Sequence, residues 1–187
     1  MLIAREKKKS NIAEYILYMW QIEDMLRAMG LDIRQVDEHV VSAFQSDEHT
    51  RQELHDWYDN LIAMMRQEKV EQKGHIQVLK NTVDELTELH FYLLHKAYDR
   101  RYQQLVTVAA SNLVEFRRKA GVDDSVSVVE LALNGLYGNL LLRLQRKEVN
   151  PETVQAMETF SRMIAYLAAR YKQMEEAEDK AYLNESY

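Results

Sequence analysis

Residues 75–97 read HIQVLKNTVDELTELHFYLLHKA, and this stretch indicates the fold class. Its apolar positions, with one histidine among them, recur at alternating intervals of three and four residues: Ile76, Leu79, Val83, Leu86, His90, Leu93 and Ala97. This spacing places them on one face of an α-helix, and it is the spacing at which helices pack nearly parallel to one another. The stretch therefore predicts a helix that buries one apolar face against other helices.

The same pattern recurs over residues 12–29 and 157–174, whereas no alternating strand pattern or hairpin-turn dipeptide occurs. We therefore predict an all-α bundle of about six to seven helices. The apolar stripe changes phase near Arg100, so a break or kink is expected at residues 99–101, and residues 75–119 form either one kinked helix or two. The predicted helices span residues 3–29, 33–44, 48–72, 75–98, 102–119, 126–148 and 151–180.

Three sequence patterns predict where helices begin. Asn150 precedes Pro151, the only proline, which suits an N-cap followed by the first helical position. Ser127 with Glu130, and Thr50 with Glu53, have the spacing of a capping box.

The predicted helix 126–148 differs from the others because it is apolar on nearly every side from Val126 to Leu144. Such a helix is expected to be buried all round, so we predict that it is the central helix. It contains Gly135 and Gly138, although an interior glycine costs up to about 1 kcal/mol relative to alanine. Close approach of a neighbouring backbone within the chain is the expected reason; a dimer or ligand contact is the alternative.

The bulk composition indicates one domain over residues 1–187, with residues 181–187 as a frayed tail. A hydrophobic content of 47% is enough to build a sizeable core. The chain has no cysteine, which excludes disulfide scaffolds, thiolate metal sites and cysteine nucleophiles, and which fits a reducing compartment.

Membrane insertion is not expected, because no stretch approaches the roughly 20 apolar residues needed to cross a bilayer. The lysines at 7–9 precede an apolar run that Glu14 interrupts, and no small-residue cleavage site follows. We therefore expect a soluble, cytoplasmic protein.

The stretch DEHVVSAFQSDEH, residues 37–49, contains Asp-Glu-His twice, and these are residue types that bind metal ions. On the predicted helices, however, His39, His49 and His55 all point away from the apolar face, with His49 on a stripe about 110° from it. The Glu-x-x-His pairs of di-iron bundles are missing from the chain. A solvated acidic face is therefore the preferred interpretation, and we predict no metal ligand set and no cofactor.

His90 is the one histidine at a core position of a stripe. A buried imidazole is most often neutral and hydrogen-bonded to a neighbour, and this structural role is the preferred interpretation. Alternatively, His90 is a ligand or general base in a pocket inside the bundle, to which Glu14, Glu23 and Glu130 could contribute carboxylates. No catalytic residue is assigned.

Charge is segregated along the chain, whose formal net charge is −6. Residues 32–59 contain eight acids and two arginines, for a net charge of −6, whereas residues 100–119 contain five bases and one acid, for a net charge of +4. Such patches could meet in a homodimer or bind another protein. An acidic chain with short basic clusters makes nucleic-acid binding an unlikely function.

Three stretches carry a resemblance to a known family: MLIAREKKKSNIAEYILYMWQIEDMLRA, VVELALNGLYGNLLLRLQRKEVNPET and FSRMIAYLAARYKQ. Together they resemble an uncharacterised family of similar-length proteins from Bacteroidetes bacteria, classed as a domain of unknown function. The resemblance runs from end to end. It implies a cytoplasmic, bacterial, helical protein and brings no catalytic or binding residue with it.

Three functions remain open from the sequence. The preferred hypothesis is a non-enzymatic helical scaffold or protein-interaction module, because continuous apolar stripes and separated charge patches dominate the chain. The alternative is a small-molecule or metal-dependent enzyme with its site around His90. Weak nucleic-acid binding through the basic patches is the third.

Overall fold

The computed structural model describes residues 2–44 and 47–185, apart from the side chains of Leu2 and of residues 178–185. Over these residues the chain forms eight α-helices, one short 3-10 helix at Val41–Ala43 and no strand, which confirms the all-α prediction. The helices are α1 (Leu2–Ser10), α2 (Ile12–Ala28), α3 (Ile33–His39), α4 (Glu48–Gln67), α5 (Gln77–His95), α6 (Arg100–Ala120), α7 (Val128–Leu144) and α8 (Pro151–Glu185).

Two helix breaks arise from side chains that cap a new helix. The predicted helix 3–29 is two helices, because Asn11 Oδ1 accepts a hydrogen bond from the Ala13 N–H at 3.0 Å and starts α2. The break expected at residues 99–101 separates two helices, since Asp99 Oδ1 accepts from the Tyr102 N–H at 3.0 Å and starts α6. A short side chain that accepts this bond satisfies a backbone donor that a continuous helix would have used.

The predicted N-caps have different outcomes. Asn150 Oδ1 accepts from the Thr153 N–H at 2.8 Å, and Ser127 Oγ accepts from the Glu130 N–H at 3.0 Å, so both predicted caps are confirmed. The predicted capping box at Thr50 is wrong, because Asp47 caps α4 by accepting from the Thr50 N–H at 2.7 Å.

The chain forms two compact units. Among the described residues, the first unit covers 2–9 and 14–82, and the second covers 10–13 and 83–185. The expectation of a single domain over 1–187 stays a prediction. The expected frayed tail at 181–187 falls on residues whose side chains are not described, with 186–187 lying outside the described residues altogether.

The first unit has its core between α2, α3, α4 and the start of α5. Its largest fully buried side chains are Ile16, Trp20, Leu26, Tyr58, Ile62, Met65, Ile76 and Leu79. Arg27 on α2 holds the loop between α4 and α5, donating to the carbonyl oxygens of Val70, at 3.0 Å, and of Gly74. This loop carries the chain to the N-terminus of α5.

In the second unit, α8 packs against both α6 and α7. Helix α7 was expected to be central and buried over 126–148, and this holds only for its first half. Full burial is confined to Val129, Leu131, Ala132, Leu133 and Gly135, residues 136–142 are half-buried, and Leu144 is exposed. An apolar surface on every side permits complete burial, but neighbouring elements must also cover it, and here they cover the N-terminal half.

The two glycines of α7 behave differently. A Cβ at Gly135 would lie 3.0 Å and 3.1 Å from ring carbons of Phe160 on α8. The predicted packing within the chain therefore occurs there, but against a side chain and not against a backbone. A Cβ at Gly138 would meet nothing within 4 Å, so the expected close contact is wrong at that position.

Candidate functional site

His90 lies in the core of the second unit. Its side chain is 4% exposed, and its Nδ1 shares a hydrogen bond of 2.7 Å with Tyr102 Oη, which confirms that the histidine is buried and hydrogen-bonded. Burial lowers the pKa of His90 to about 4, and the nearby His95 adds to the effect. The imidazole is therefore neutral at physiological pH.

Tyr102 connects His90 to a closed polar network. The Tyr102 ring stacks on Tyr166 with centroids 5.9 Å apart, and Tyr166 Oη donates to Asp99 Oδ2 at 2.9 Å. The hydrogen bond from the Tyr102 N–H, with further bonds and the charge of Arg170, lowers the pKa of Asp99. The carboxylate thus accepts bonds from both tyrosines, and this network ties α5, α6 and α8 together within the unit.

Glu23 is the most deeply buried acid of the first unit, with an exposed fraction of zero. Its Oε2 lies 2.5 Å from His75 Nδ1, and its Oε1 accepts from the Ile76 N–H at 2.9 Å, just before α5 begins. The His75 ring stacks on Trp20 at 4.3 Å between centroids, with 13° between the planes. Glu23 therefore orients an imidazole whose side chain remains partly exposed.

His75 was not predicted as a partner of Glu23. The only sequence signal was its position between Gly74 and the first residues of a helix, and nothing in that position points to a residue 52 places earlier.

Glu14 and Glu130 have other surroundings. The exposed Glu14 binds Lys7 at 3.2 Å in the first unit, whereas Glu130 is half-buried in the second, at the capped start of α7. The four predicted pocket residues thus have different partners: Tyr102 for His90, His75 for Glu23, Lys7 for Glu14 and Ser127 for the Glu130 N–H.

The residues of the repeated Asp-Glu-His motif are used separately. Asp37 binds His55 Nδ1 at 2.8 Å, Asp47 caps α4, and His49 lies 3.9 Å from Glu53 on the same helix. His55, which was expected to point away from the apolar face of its helix, is half-buried beside Asp37 of α3. Among residues 3–44 and 47–177, whose side chains the structure describes, no group of three or more His, Asp or Glu side chains is suited to hold a metal ion.

A groove on the second unit combines apolar and acidic side chains. It has a volume of about 460 Å³, and it lies between α5 and α8. We call it the α5–α8 groove; it is lined by Glu85, Glu88, Leu89 and Tyr92 from α5 and by Tyr171, Met174 and Glu175 from α8. Leu89 is buried, whereas Tyr92 and Met174 are 51% and 45% exposed.

This groove could not be predicted from the sequence pattern. Leu89 and Tyr92 lie beside the apolar stripe of α5 at a spacing of three, but their partners on α8 are about 80 residues away in the chain.

The comparisons with known proteins find one family. The model of the family described as "Domain of unknown function (DUF4924)" matches residues 1–178. The chain belongs to this family. No curated protein and no solved structure matches it.

The DUF4924 description names no activity. The polar networks of His90 and Glu23 are internal, with their bonds directed at neighbouring tyrosine, histidine and backbone groups. The α5–α8 groove, in contrast, has exposed apolar side chains, Tyr92 and Met174, in its lining. Among the described residues, no helix has the length and apolarity needed to cross a membrane.

Proposed function

We propose that this member of DUF4924 is a protein-interaction module, and that the α5–α8 groove is its docking surface. Two large apolar side chains, Tyr92 and Met174, are left about half exposed over the buried floor of Leu89, and this observation carries the proposal. Aromatic and methionine side chains are enriched in protein interfaces, and a buried floor with adaptable walls is typical of a surface that binds an apolar anchor.

The surroundings of the groove fit a helical partner. Both walls are helices, with α5 running from Gln77 to His95 and α8 from Pro151 to Glu185. An amphipathic helix that lays one face into a groove between two helices is a common mode of recognition, and we propose a helix of another protein as the occupant.

A homodimer held by charge receives less support than this groove. The basic residues 100–119 were expected to meet the acidic residues 32–59 of a second copy. In the structure, Arg117 donates to the Asp123 and Val126 carbonyls, Lys119 lies 2.7 Å from Glu115, and Arg101 lies over the Tyr166 ring. These bases already have partners within the unit, which also argues against a basic surface for nucleic acid.

An enzyme built around His90 also receives less support. The side chain is almost fully covered, and its Nδ1 is bonded to Tyr102, so the geometry favours a structural role over contact with a substrate. The cytoplasmic location and the bacterial origin remain part of the proposal, and they rest on the resemblance of the three quoted stretches.

Site-specific photo-crosslinking in cells tests the docking surface. A benzophenone amino acid replaces Tyr92 in one variant and Val114, which is 71% exposed and outside the groove, in the control. We expect a discrete adduct from position 92 that the control does not give, and its mass above the 22.1 kDa of one chain separates a second copy from another protein. Equal adducts from both positions would contradict the proposal.

A further inference from the structure

We propose that the α5–α8 groove selects a basic partner, by taking a lysine or arginine side chain between its tyrosine rings and its three glutamates. The inference rests on the proposed function and specifies the chemistry of the partner. Neither the family description nor the fold assigns a ligand of this kind.

Among the described side chains, the charge of the groove has one sign. Its ionisable lining consists of the carboxyl groups of Glu85, Glu88 and Glu175 and of two phenols. Lys172, which follows Tyr171 in the sequence, is not part of this lining and lies 3.9 Å from Glu176. A neutral helix docked here would bring three carboxylates towards a drier environment, which is unfavourable. A cationic side chain would offset that penalty.

Tyr171 and Glu85 are held in place by each other. Tyr171 Oη donates to Glu85 Oε2 at 2.7 Å, which fixes the ring as one wall of the groove. Burial raises the pKa of Tyr171, and the bonds and charges of Glu85 and Glu175 raise it further. The phenol therefore stays neutral, so its ring can attract a cation without carrying a charge of its own.

The apolar part of the lining suits the rest of a basic side chain. Lysine and arginine carry a long aliphatic stem below the charged head, and they bury the stem along apolar surface. Leu89 and Met174 supply that surface, while Tyr92 offers a second, exposed ring. The apolar floor of the groove thus suits the aliphatic stem of a lysine or arginine, and its aromatic walls and acidic rim suit the charged head.

The inference is tested with two helical peptides of about five turns. Both carry leucines on one face; the first has lysines flanking that face, and the second has glutamines in their place. Binding to the full chain is measured by fluorescence anisotropy at physiological ionic strength, where distant surface charges are largely screened. We expect the lysine peptide to bind about tenfold more tightly than the glutamine peptide.

Charge variants separate the groove from the overall acidity of the chain. Glu88→Gln with Glu175→Gln should weaken binding of the lysine peptide about fivefold and should not weaken binding of the glutamine peptide. The control, Asp124→Asn with Glu158→Gln, changes the net charge equally at two exposed positions outside the groove and should change either affinity by less than about twofold.

The failure of this inference can be distinguished from the failure of the proposed function. Equal affinity for both peptides, with both lost in Tyr92→Ser, would overturn the selection of a cation and leave the docking surface in place. Affinities that Tyr92→Ser does not change would overturn both. Equal weakening by the groove variant and by the control variant, or no binding of the lysine peptide by the wild type, would also overturn the inference.

Discussion

Lowering the pH from 7 to 5 is expected to destabilise the protein through His90. The ordinary histidine pKa of 6.5 applies to the unfolded chain, whereas burial lowers the pKa in the folded protein to about 4. Protons therefore bind more readily to the unfolded state between these two values. The stability that neutral His90 contributes is fully present above the unfolded pKa and is lost as the pH falls towards the folded pKa.

The size of the effect follows from the two pKa values. At pH 5 most of the unfolded chains but few of the folded ones carry a proton at this position, which amounts to a loss of about 2 kcal/mol relative to pH 7. The assay is urea denaturation of the wild type and of His90→Gln at both pH values. The other titratable groups are common to both proteins, so the difference between the two pH dependences isolates His90.

His90→Gln is therefore expected to lose about 2 kcal/mol less than the wild type between pH 7 and pH 5. Any destabilisation that the substitution itself causes cancels in this comparison, because it lowers the stability of the variant equally at pH 7 and at pH 5. If the two proteins lose the same stability on acidification, His90 titrates alike in the folded and unfolded states, and the reasoning from its burial is refuted.

Three further predictions concern folding. Gly135→Ala should destabilise the protein, because the new Cβ would press on the buried ring of Phe160. Gly138→Ala should stabilise the protein by up to about 1 kcal/mol, because the new Cβ meets nothing within 4 Å. Thermal melts that rank the two variants in the opposite order would contradict the packing of α7. Glu23→Gln should cost about 1–3 kcal/mol in chemical denaturation because it weakens the two hydrogen bonds of a buried carboxylate, whereas Glu14→Gln, at an exposed site, should stay within about 0.5 kcal/mol. Equal effects of the two substitutions would show that the bonds of Glu23 are not stabilising. Replacing His39 and His49, the two exposed histidines of the repeated motif, with glutamine should leave the melting temperature unchanged. His55→Gln should lower the melting temperature by the equivalent of up to about 1 kcal/mol, because it removes the bond to Asp37. An unchanged melting temperature for His55→Gln would mean that this bond contributes nothing to stability.

The all-α fold could be predicted because its main determinant is local. The interval of three and four residues over 75–97 requires only that neighbouring turns of one helix share a face, and α5 forms there. The caps at Ser127 and Asn150 are equally local, since each side chain bonds a backbone group three residues later. The break at Asn11 was missed because an asparagine within an apolar pattern is compatible with either a cap or an exposed helical position.

The tertiary contacts could not be predicted from one sequence. Gly135 and Gly138 are alike in composition and neighbourhood, and only the position of Phe160 on another helix distinguishes them. The full burial of Glu23 likewise depends on His75 and on the N-terminus of α5, which lie more than 50 residues later. A buried acid has no pattern of its own, because the residues that satisfy it come from anywhere in the chain.

The candidate site was missed for the same reason. Met174 ends the stripe over residues 157–174 that predicts core positions, whereas Tyr92 lies beside the stripe of α5. The exposure of both side chains follows from which sides of α5 and α8 the other helices leave uncovered. The acidic rim could not be predicted either. The sequence around Glu85 and Glu88 is typical of the solvated face of a helix, and only the fold brings Tyr171 and Glu175 beside them.

Methyl NMR of the methionines tests the docking surface most directly. The chain has nine methionines, of which Met174 lies in the groove while Met19, Met65 and Met163 are buried. When the lysine-flanked helical peptide is titrated into the labelled protein, the Met174 methyl resonance is predicted to show the largest shift, saturating with the binding curve, with the buried methyl groups unmoved. A larger shift at another methionine, or binding that leaves Met174 unchanged, would contradict the assignment of the α5–α8 groove as the docking surface.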